Sequence, residues 1–310
     1  MLIDYIKRAF YKPNWKLAFR ESNENDSLNT IVKNNKKFYS YTVEGNYWCA
    51  DPFVICDGDL IYVFCECFIN EKQKGTIAVA EYKEGKISNM RTVIEQDYHM
   101  SYPCVFKYGS DYYMIPETAD NRTIELYHAK QFPYEWELTN TLKKNVRCVD
   151  STVFFKDDGI YVIGYILGNK NKICIYQLDM VNKTITLTYE LEDDDTGRPA
   201  GNILVLDNEI FRLAQISKKK YGESISIKKI VSFNSEKYNE IEFSQISGKD
   251  IFVDGEKIID RIHTFNMVGN IEIIDYSCDS FELFRPIKII MARCKQKLYD
   301  YKFQKISGGI

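Results

Sequence analysis

Between Tyr47 and Glu66 the chain reads YWCADPFVICDGDLIYVFCE: an apolar run, a polar Asp57-Gly58-Asp59 break, and a second apolar run that ends on a carboxylate. Runs rich in Val, Ile, Phe and Tyr around a short Gly-containing turn predict a β-hairpin. The same pattern returns three times without gaps, at Ser101–Glu117 (SYPCVFKYGSDYYMIPE), Val149–Tyr165 (VDSTVFFKDDGIYVIGY) and Pro199–Gln215 (PAGNILVLDNEIFRLAQ). Asp51, Tyr102, Asp150 and Ala200 share one repeat position; Glu66, Glu117, Tyr165 and Gln215 share another. Two more strand-like segments follow each hairpin: TIAVAEYK, TIELYHAK, KICIYQLD and SISIKKIV, then RTVIEQ, WELTNTLK, TITLTYELE and NEIEFSQI. Four strands per unit at a period of roughly 50 residues predict β-propeller blades.

A fifth, less regular unit begins at DRIHTFNMVGNIEIIDYS, Asp260–Ser277, with FELFRPIKIIMA expected to add a strand. The N-terminal WKLAFRES and KKFYSYTVE are expected to close the ring. The fold class is therefore all-β, and residues 1–310 read as a single five-bladed propeller of four-stranded antiparallel blades.

In such a blade the first strand lines the central channel and the second returns, so the start of one and the end of the other meet at the same face. Asp51, Glu66, Glu117 and Asp150 are thereby expected to ring one central pocket. His99 and His263 precede or occupy comparable inner-strand positions, and Arg147 and Arg198 precede the inner strands of blades 3 and 4. Arg122 follows Glu117, and Gln215 sits at the Glu66 and Glu117 position. His128, in mid-strand, reads as an exposed blade residue. Tyr47, Trp48 and Tyr102 are candidates for stacking on a sugar ring.

Composition narrows the function. The formal net charge of −3 argues against a nucleic-acid surface, and the basic SKKKYG reads as a solvated loop. Nine cysteines with no CxxC pair and no signal peptide suggest free thiols, a reducing compartment and a cytoplasmic location. The opening MLIDYIKRAFYKPNWKLAF is too short and charged to span a bilayer and is expected to form a helix packed on the body, with a peripheral membrane contact as the alternative. The chain reads as soluble.

WCADPF, HMSYPCVF…YYMIPET…NRTIELY, VDSTVF and RPAG, in that order, resemble the N-terminal propeller domain of the plant glucosamine inositolphosphorylceramide transferases and its bacterial relatives. The resemblance runs from about Trp15 to beyond His263 and implies a carbohydrate-active protein in a surface-polysaccharide setting, with a partner transferase in view. In the plant proteins the transferase chemistry is credited to a separate C-terminal domain. The architecture is also similar to family 43 glycoside hydrolases and to levansucrase- and invertase-like enzymes. Asp51 matches their first-blade base or nucleophile; Tyr102 stands where they carry a second Asp, and Asp150 where they carry a Glu acid.

The sequence thus points to a sugar, glycan or nucleotide-sugar in the central pocket. Asp51 is assigned as base or nucleophile, Glu117 as acid and Asp150 as orienting partner. Trp48, Glu66, His99, Tyr102, Gln215 and His263 are assigned to substrate binding. Arg122, Arg147 and Arg198 are expected to hold an anionic part of it. Glycosyl transfer leads; a family 43-like hydrolase and a non-catalytic glycan-binding or scaffold propeller are the alternatives. No cofactor or metal is required, although calcium at the axis, held by His263 and water, fits an oxygen-rich ring.

Overall fold

The computed structural model describes residues 10–22, 36–157, 159–234 and 237–288, with 290, 291 and 294 beyond them. Residues 15–277 form one unit; residues 1–14 and 278–310 group as another. The first unit is a five-bladed β-propeller. Blade 1 comprises Tyr47–Asp57, Leu60–Ile69, Lys74–Lys83 and an outer edge divided between Lys86–Ile87 and Arg91–Ile94. Blade 2 runs Ser101–Tyr108, Asp111–Thr118, Thr123–Gln131, Glu135–Lys144; blade 3 runs Cys148–Lys156, Gly159–Ile166, Asn171–Asp179, Thr184–Asp193. In blade 4 the inner strand is broken into Arg198–Pro199 and Leu204–Leu206, followed by Glu209–Ile216, Ser224–Phe233 and Tyr238–Ser247.

Blade 5 joins the two ends of the unit. Arg261–Val268 and Ile271–Ser277 pair as its hairpin, and Trp15–Glu21 adds as the third strand, with Trp15 opposite Ser277 and Glu21 opposite Ile271. Tyr39–Ser40 forms the outer edge. Two expectations change here. Trp15–Glu21 is a strand and not the end of a helix, because Trp15, Leu17 and Phe19 are buried at every second position and its backbone completes the ladder. Residues 1–9 of the expected helix lie outside the described residues. Among its described residues FELFRPIKIIMA supplies no blade strand: Ser280–Phe281 is extended there, paired with Tyr11–Lys12 in the smaller unit. Pro286 has no N–H to give a ladder.

The hairpin turns lie where Gly and Asn permit left-handed backbone, as at Gly58 (φ 59°) and Asn208 (φ 62°). Inner strands are buried almost throughout, whereas an outer strand such as Glu135–Lys144 is exposed or half-buried along its whole length. The core fills the gaps between blades; Phe53, Phe64, Ile77, Met100, Cys104, Met114 and Leu126 belong to one continuous cluster between blades 1 and 2. All nine cysteines are free thiols. Among the described residues no helix is long and apolar enough to cross a membrane.

Candidate functional site

The repeat seen in the sequence has a backbone cause. In blades 1, 2, 3 and 5 the inner strand loses register with its neighbour at the same place, between Ala50 and Phe53, opposite Ile115/Glu117, between Val149 and Thr152, and between Ile262 and Thr264. The extra residue of each bulge in blades 1 to 3 is left-handed: Asp51 (φ 50°), Tyr102 (φ 45°) and Asp150 (φ 50°). For non-glycine residues this conformation costs about 1–2 kcal/mol each, and such bulges re-aim a side chain. Blade 4 solves the same bend with Gly201 (φ 135°), where a Cβ would sit 2.0 Å from the Phe265 carbonyl oxygen. Immediately before each bulge, Ala50 pairs with Glu66 and Ser101 with Glu117, while Arg198 pairs with Gln215. Strand starts and strand ends therefore converge on one face.

They enclose a recess of about 190 Å3. Asp51, Glu66, Glu117, His99, Arg198 and His263 line it, as does Trp48. Blade 1 supplies an aromatic wall, Trp48 stacked on its cross-strand partner Phe68 at 4.8 Å. A second aromatic group surrounds His263: Trp15 lies parallel to the imidazole at 4.1 Å and Tyr221 meets it edge-on at 5.0 Å.

Two hydrogen-bonded knots hold the carboxylates. In the first, Asp275 accepts the backbone N–H groups of Asp51 (2.9 Å), His263 (3.2 Å) and Thr264 (2.8 Å), and its Oδ2 lies 2.6 Å from His263 Nδ1. His263 Nε2 faces Asp51 Oδ1 at 3.3 Å, and Thr264 donates its hydroxyl to the same oxygen. In the second, Arg198 grips Asp150 with Nε and Nη2, Gln215 donates to Asp150 at 2.6 Å, and Glu117 lies 3.5 Å from Arg198 while accepting the Asp150 N–H. Arg198 also lies over the Tyr221 ring, 5.4 Å from its centroid.

Burial pushes Asp51 up to about 7; His263 opposes this, and the charges of Asp150 and Asp275 add to it. Burial and Asp150 raise Glu117 well above the carboxylate range in spite of Arg198. Glu66 is raised by burial and by Asp51 and Glu117. Burial alone would depress His263, but Asp275 and Asp51 outweigh it and hold the imidazole above its usual value. Carboxyls held above their ordinary range beside an ionisable imidazole are equipped for acid–base work.

Several sequence expectations resolve differently. Asp150 and Gln215 lie beneath the recess, 1% and 0% exposed, as supports. Tyr102 is fully buried and cannot stack on a ligand; its hydroxyl meets Thr152 at 2.8 Å and accepts the Gly201 N–H at 2.7 Å. Arg122 and Arg147 are not among the lining residues, and Tyr47 borders a different hollow, with Cys67 and Met90. Arg198 lines the recess but is engaged by two carboxylates. Calcium at the axis would meet Asp51, His263 and Asp275, whose ligand atoms lie within 4.8 Å of one another. Asp275 is already committed to three N–H groups, so most of the six to eight oxygens calcium takes would have to be water.

Sequence reasoning missed Trp15, Phe68, Tyr221 and Asp275. Asp275 carried a signal, an acid inside the otherwise apolar IEIIDYS, and Phe68 was readable as the partner of Trp48. Tyr221 falls in the SKKKYG loop, whose lysines conceal it.

Fold and site define a class: a five-bladed propeller whose axis opens into an acidic, aromatic-walled recess. The same fold occurs in an α-L-arabinofuranosidase from Podospora anserina (TM-score 0.56, 8% identity, 74% of this chain and 90% of that one) and in one from Lactobacillus brevis (0.53, 10%, 72% and 79%). Within that class, residues 28–253 match the family described as "Glucosamine inositolphosphorylceramide transferase 1, N-terminal", and the chain belongs to this family. Glucosamine inositolphosphorylceramide transferase 1 of Arabidopsis thaliana is 27% identical over 217 residues, 66% of this chain; that of Oryza sativa subsp. japonica is 26% identical over 214, 64% of this chain. The match covers 28% of each relative. The family is a carbohydrate-related one.

Proposed function

We propose that the recess takes one sugar unit of a glycan or activated sugar, and that Asp51 and Glu117 act on its glycosidic bond. The observation that carries this reading is the pair of buried carboxyls, both held above their ordinary range, in a cavity open to solvent and walled by aromatic rings. As the C–O bond breaks, the Glu117 proton passes to the departing oxygen. Asp51 takes the proton of the incoming hydroxyl or, in a retaining course, bonds transiently to the anomeric carbon. Asp150, held by Arg198 and Gln215, orients the Glu117 side.

The volume favours a single ring, being smaller than the roughly 300–1,000 Å3 of sites that enclose a drug-sized ligand. A nucleotide-sugar would insert its sugar and leave its nucleotide outside. The acidic lining and the committed Arg198 favour a neutral sugar over a phosphate. Transfer to an acceptor hydroxyl during surface-polysaccharide synthesis is preferred to hydrolysis, because the relatives are named as transferases. The nine free thiols support a reducing, cytoplasmic setting; a fluorescent-tagged chain found in an oxidising compartment would overturn that part.

A second reading is a glycan-binding module serving a separate transferase. It is favoured by the hydrogen-bonded knots, which use Asp150 and Asp275 to tie neighbouring blades together. Thermal-shift screening of neutral sugars and nucleotide-sugars, followed by product analysis with the stabilising compounds, separates the two. Binding with turnover lost in Asp51→Asn supports the enzyme. Binding without turnover supports the module, and no binding across the panel overturns both.

A further inference from the structure

Glu66 stands apart from the other acids in and beneath the recess. Asp51, Asp150 and Glu117 each accept hydrogen bonds from named donors, whereas Glu66 Oε1, in a residue only 5% exposed, has no hydrogen-bond partner. The nearest basic atom is His99 Nε2 at 3.5 Å. His99 Nδ1 accepts the Gly75 N–H at 2.9 Å, which leaves the proton of the neutral ring on Nε2, facing Glu66. Burial lowers the basicity of this imidazole, so it gives Glu66 a dipole and not a full counter-charge.

The space is made by an absent side chain. A Cβ on Gly75 would lie 2.4 Å from the Met100 carbonyl oxygen and 2.7 Å from Glu66 Oε1. A buried polar atom left without a partner is costly, and such atoms in native proteins call for an explanation. Gln215 Oε1 and His263 Nδ1 also lack a hydrogen bond, but Gln215 does not line the recess and His263 Nδ1 has the Asp275 carboxylate 2.6 Å away.

We propose that Glu66 is the residue by which the recess recognises a hydroxyl of the bound sugar, with Gly75 and His99 positioning its carboxyl. The proposal rests on the reading of the recess as a carbohydrate site. A sugar hydroxyl both donates and accepts, which matches a carboxyl able to do either. Burial and the neighbouring Asp51 and Glu117 favour the protonated form of Glu66, so its O–H is available to a ligand oxygen. A site built around such a bond rejects the deoxy analogue strongly, because the analogue leaves the buried group unpaired.

The test uses calorimetric titration of the full chain with the methyl glycosides of glucose, galactose, mannose and xylose, and with monodeoxy forms of whichever binds. Glu66→Gln, which still donates and accepts, should bind within about threefold of wild type; Glu66→Leu should lose about 100-fold. One deoxy form should bind about 100-fold more weakly to wild type yet lose nothing further in Glu66→Leu. Wild-type affinity in Glu66→Leu overturns the proposal. So does a Glu66→Leu protein that melts well below wild type, since an unpartnered carboxyl should be replaceable by an apolar group without loss. If no glycoside binds wild type while Glu66→Leu is at least as stable, the sugar reading of the recess falls and the hydroxyl proposed here falls with it, although Glu66 remains the unpartnered group.

Discussion

Glu240 and Asp51 are both largely withdrawn from water, and they respond in opposite directions. Glu240, in blade 4, meets Arg212 through two hydrogen bonds of 2.6 and 2.8 Å and Lys228 at 3.1 Å. Burial would raise it, but the Arg212 charge and hydrogen bonds bring it down to about 2. Asp51 has two neutral donors, the Thr264 hydroxyl and the Tyr102 N–H, and the basic group in contact with it, His263, is shared with Asp275; the Arg198 charge acts on it more weakly. It is held at about 7. Burial raises both; what separates them is how much positive charge stands beside each to offset it. Glu240 has two cations in contact, whereas Asp51 has a single imidazole shared with a second carboxylate, and the nearby Arg198 is engaged by Asp150 and Glu117.

The largest effect should come from breaking the first member of this contrast. Arg212→Met leaves Glu240 with Lys228 as its one close cation and should lower unfolding free energy by about 3 kcal/mol in urea titration, with Glu240→Gln recovering part of the loss. Because the Glu240 pKa is depressed, its stabilisation is complete above its ordinary value of 4.5 and is lost as pH falls toward about 2. The variant should lose most of that acid slope, keeping only the share that Lys228 and Tyr238 supply.

Asp51→Asn and Glu117→Gln should each reduce kcat/KM on an accepted glycoside by about 10²-fold or more, with melting temperature retained. Asparagine also tolerates the left-handed backbone at position 51. A tenfold smaller loss in both would place the chemistry elsewhere.

A smaller effect separates the two acids by pH. The folded protein keeps the Asp51 proton between its ordinary 3.8 and about 7, where the unfolded chain releases it. This residue therefore makes wild-type stability decline as pH rises through that window, and Asp51→Asn removes the decline. The variant should equal or exceed wild type at pH 8 by on the order of 1 kcal/mol, with no advantage below pH 4. The reverse slope would show that Asp51 behaves as Glu240 does. Smallest of all, Lys170→Ala removes a pair with Glu192 in which both side chains are more than half exposed, and should leave the denaturation midpoint unmoved.

Much of the propeller was legible because the bulge recurs at a fixed place in each unit. Asp51, Tyr102 and Asp150 were aligned by hydropathy before their shared φ explained the alignment. The convergence of Glu66 and Glu117 on one face followed from the alternation of strands. The other recess residues were hidden for two reasons. Trp15 reaches His263 only through closure between distant segments, and Tyr221 comes from a loop with no repeat position. Arg122 and Arg147 were adjacent to the right strands, but adjacency along the chain does not fix which way a side chain turns.

The Tyr102 hydroxyl has a wider consequence. From blade 2 it reaches Thr152 in blade 3 and Gly201 in blade 4, while its own N–H bonds Asp51 in blade 1. The axis is corked at this level, so the recess is a blind cup with one mouth. On the proposed carbohydrate reading, a polymer would not thread through the axis, and a sugar unit that entered the recess would leave by the mouth it came in.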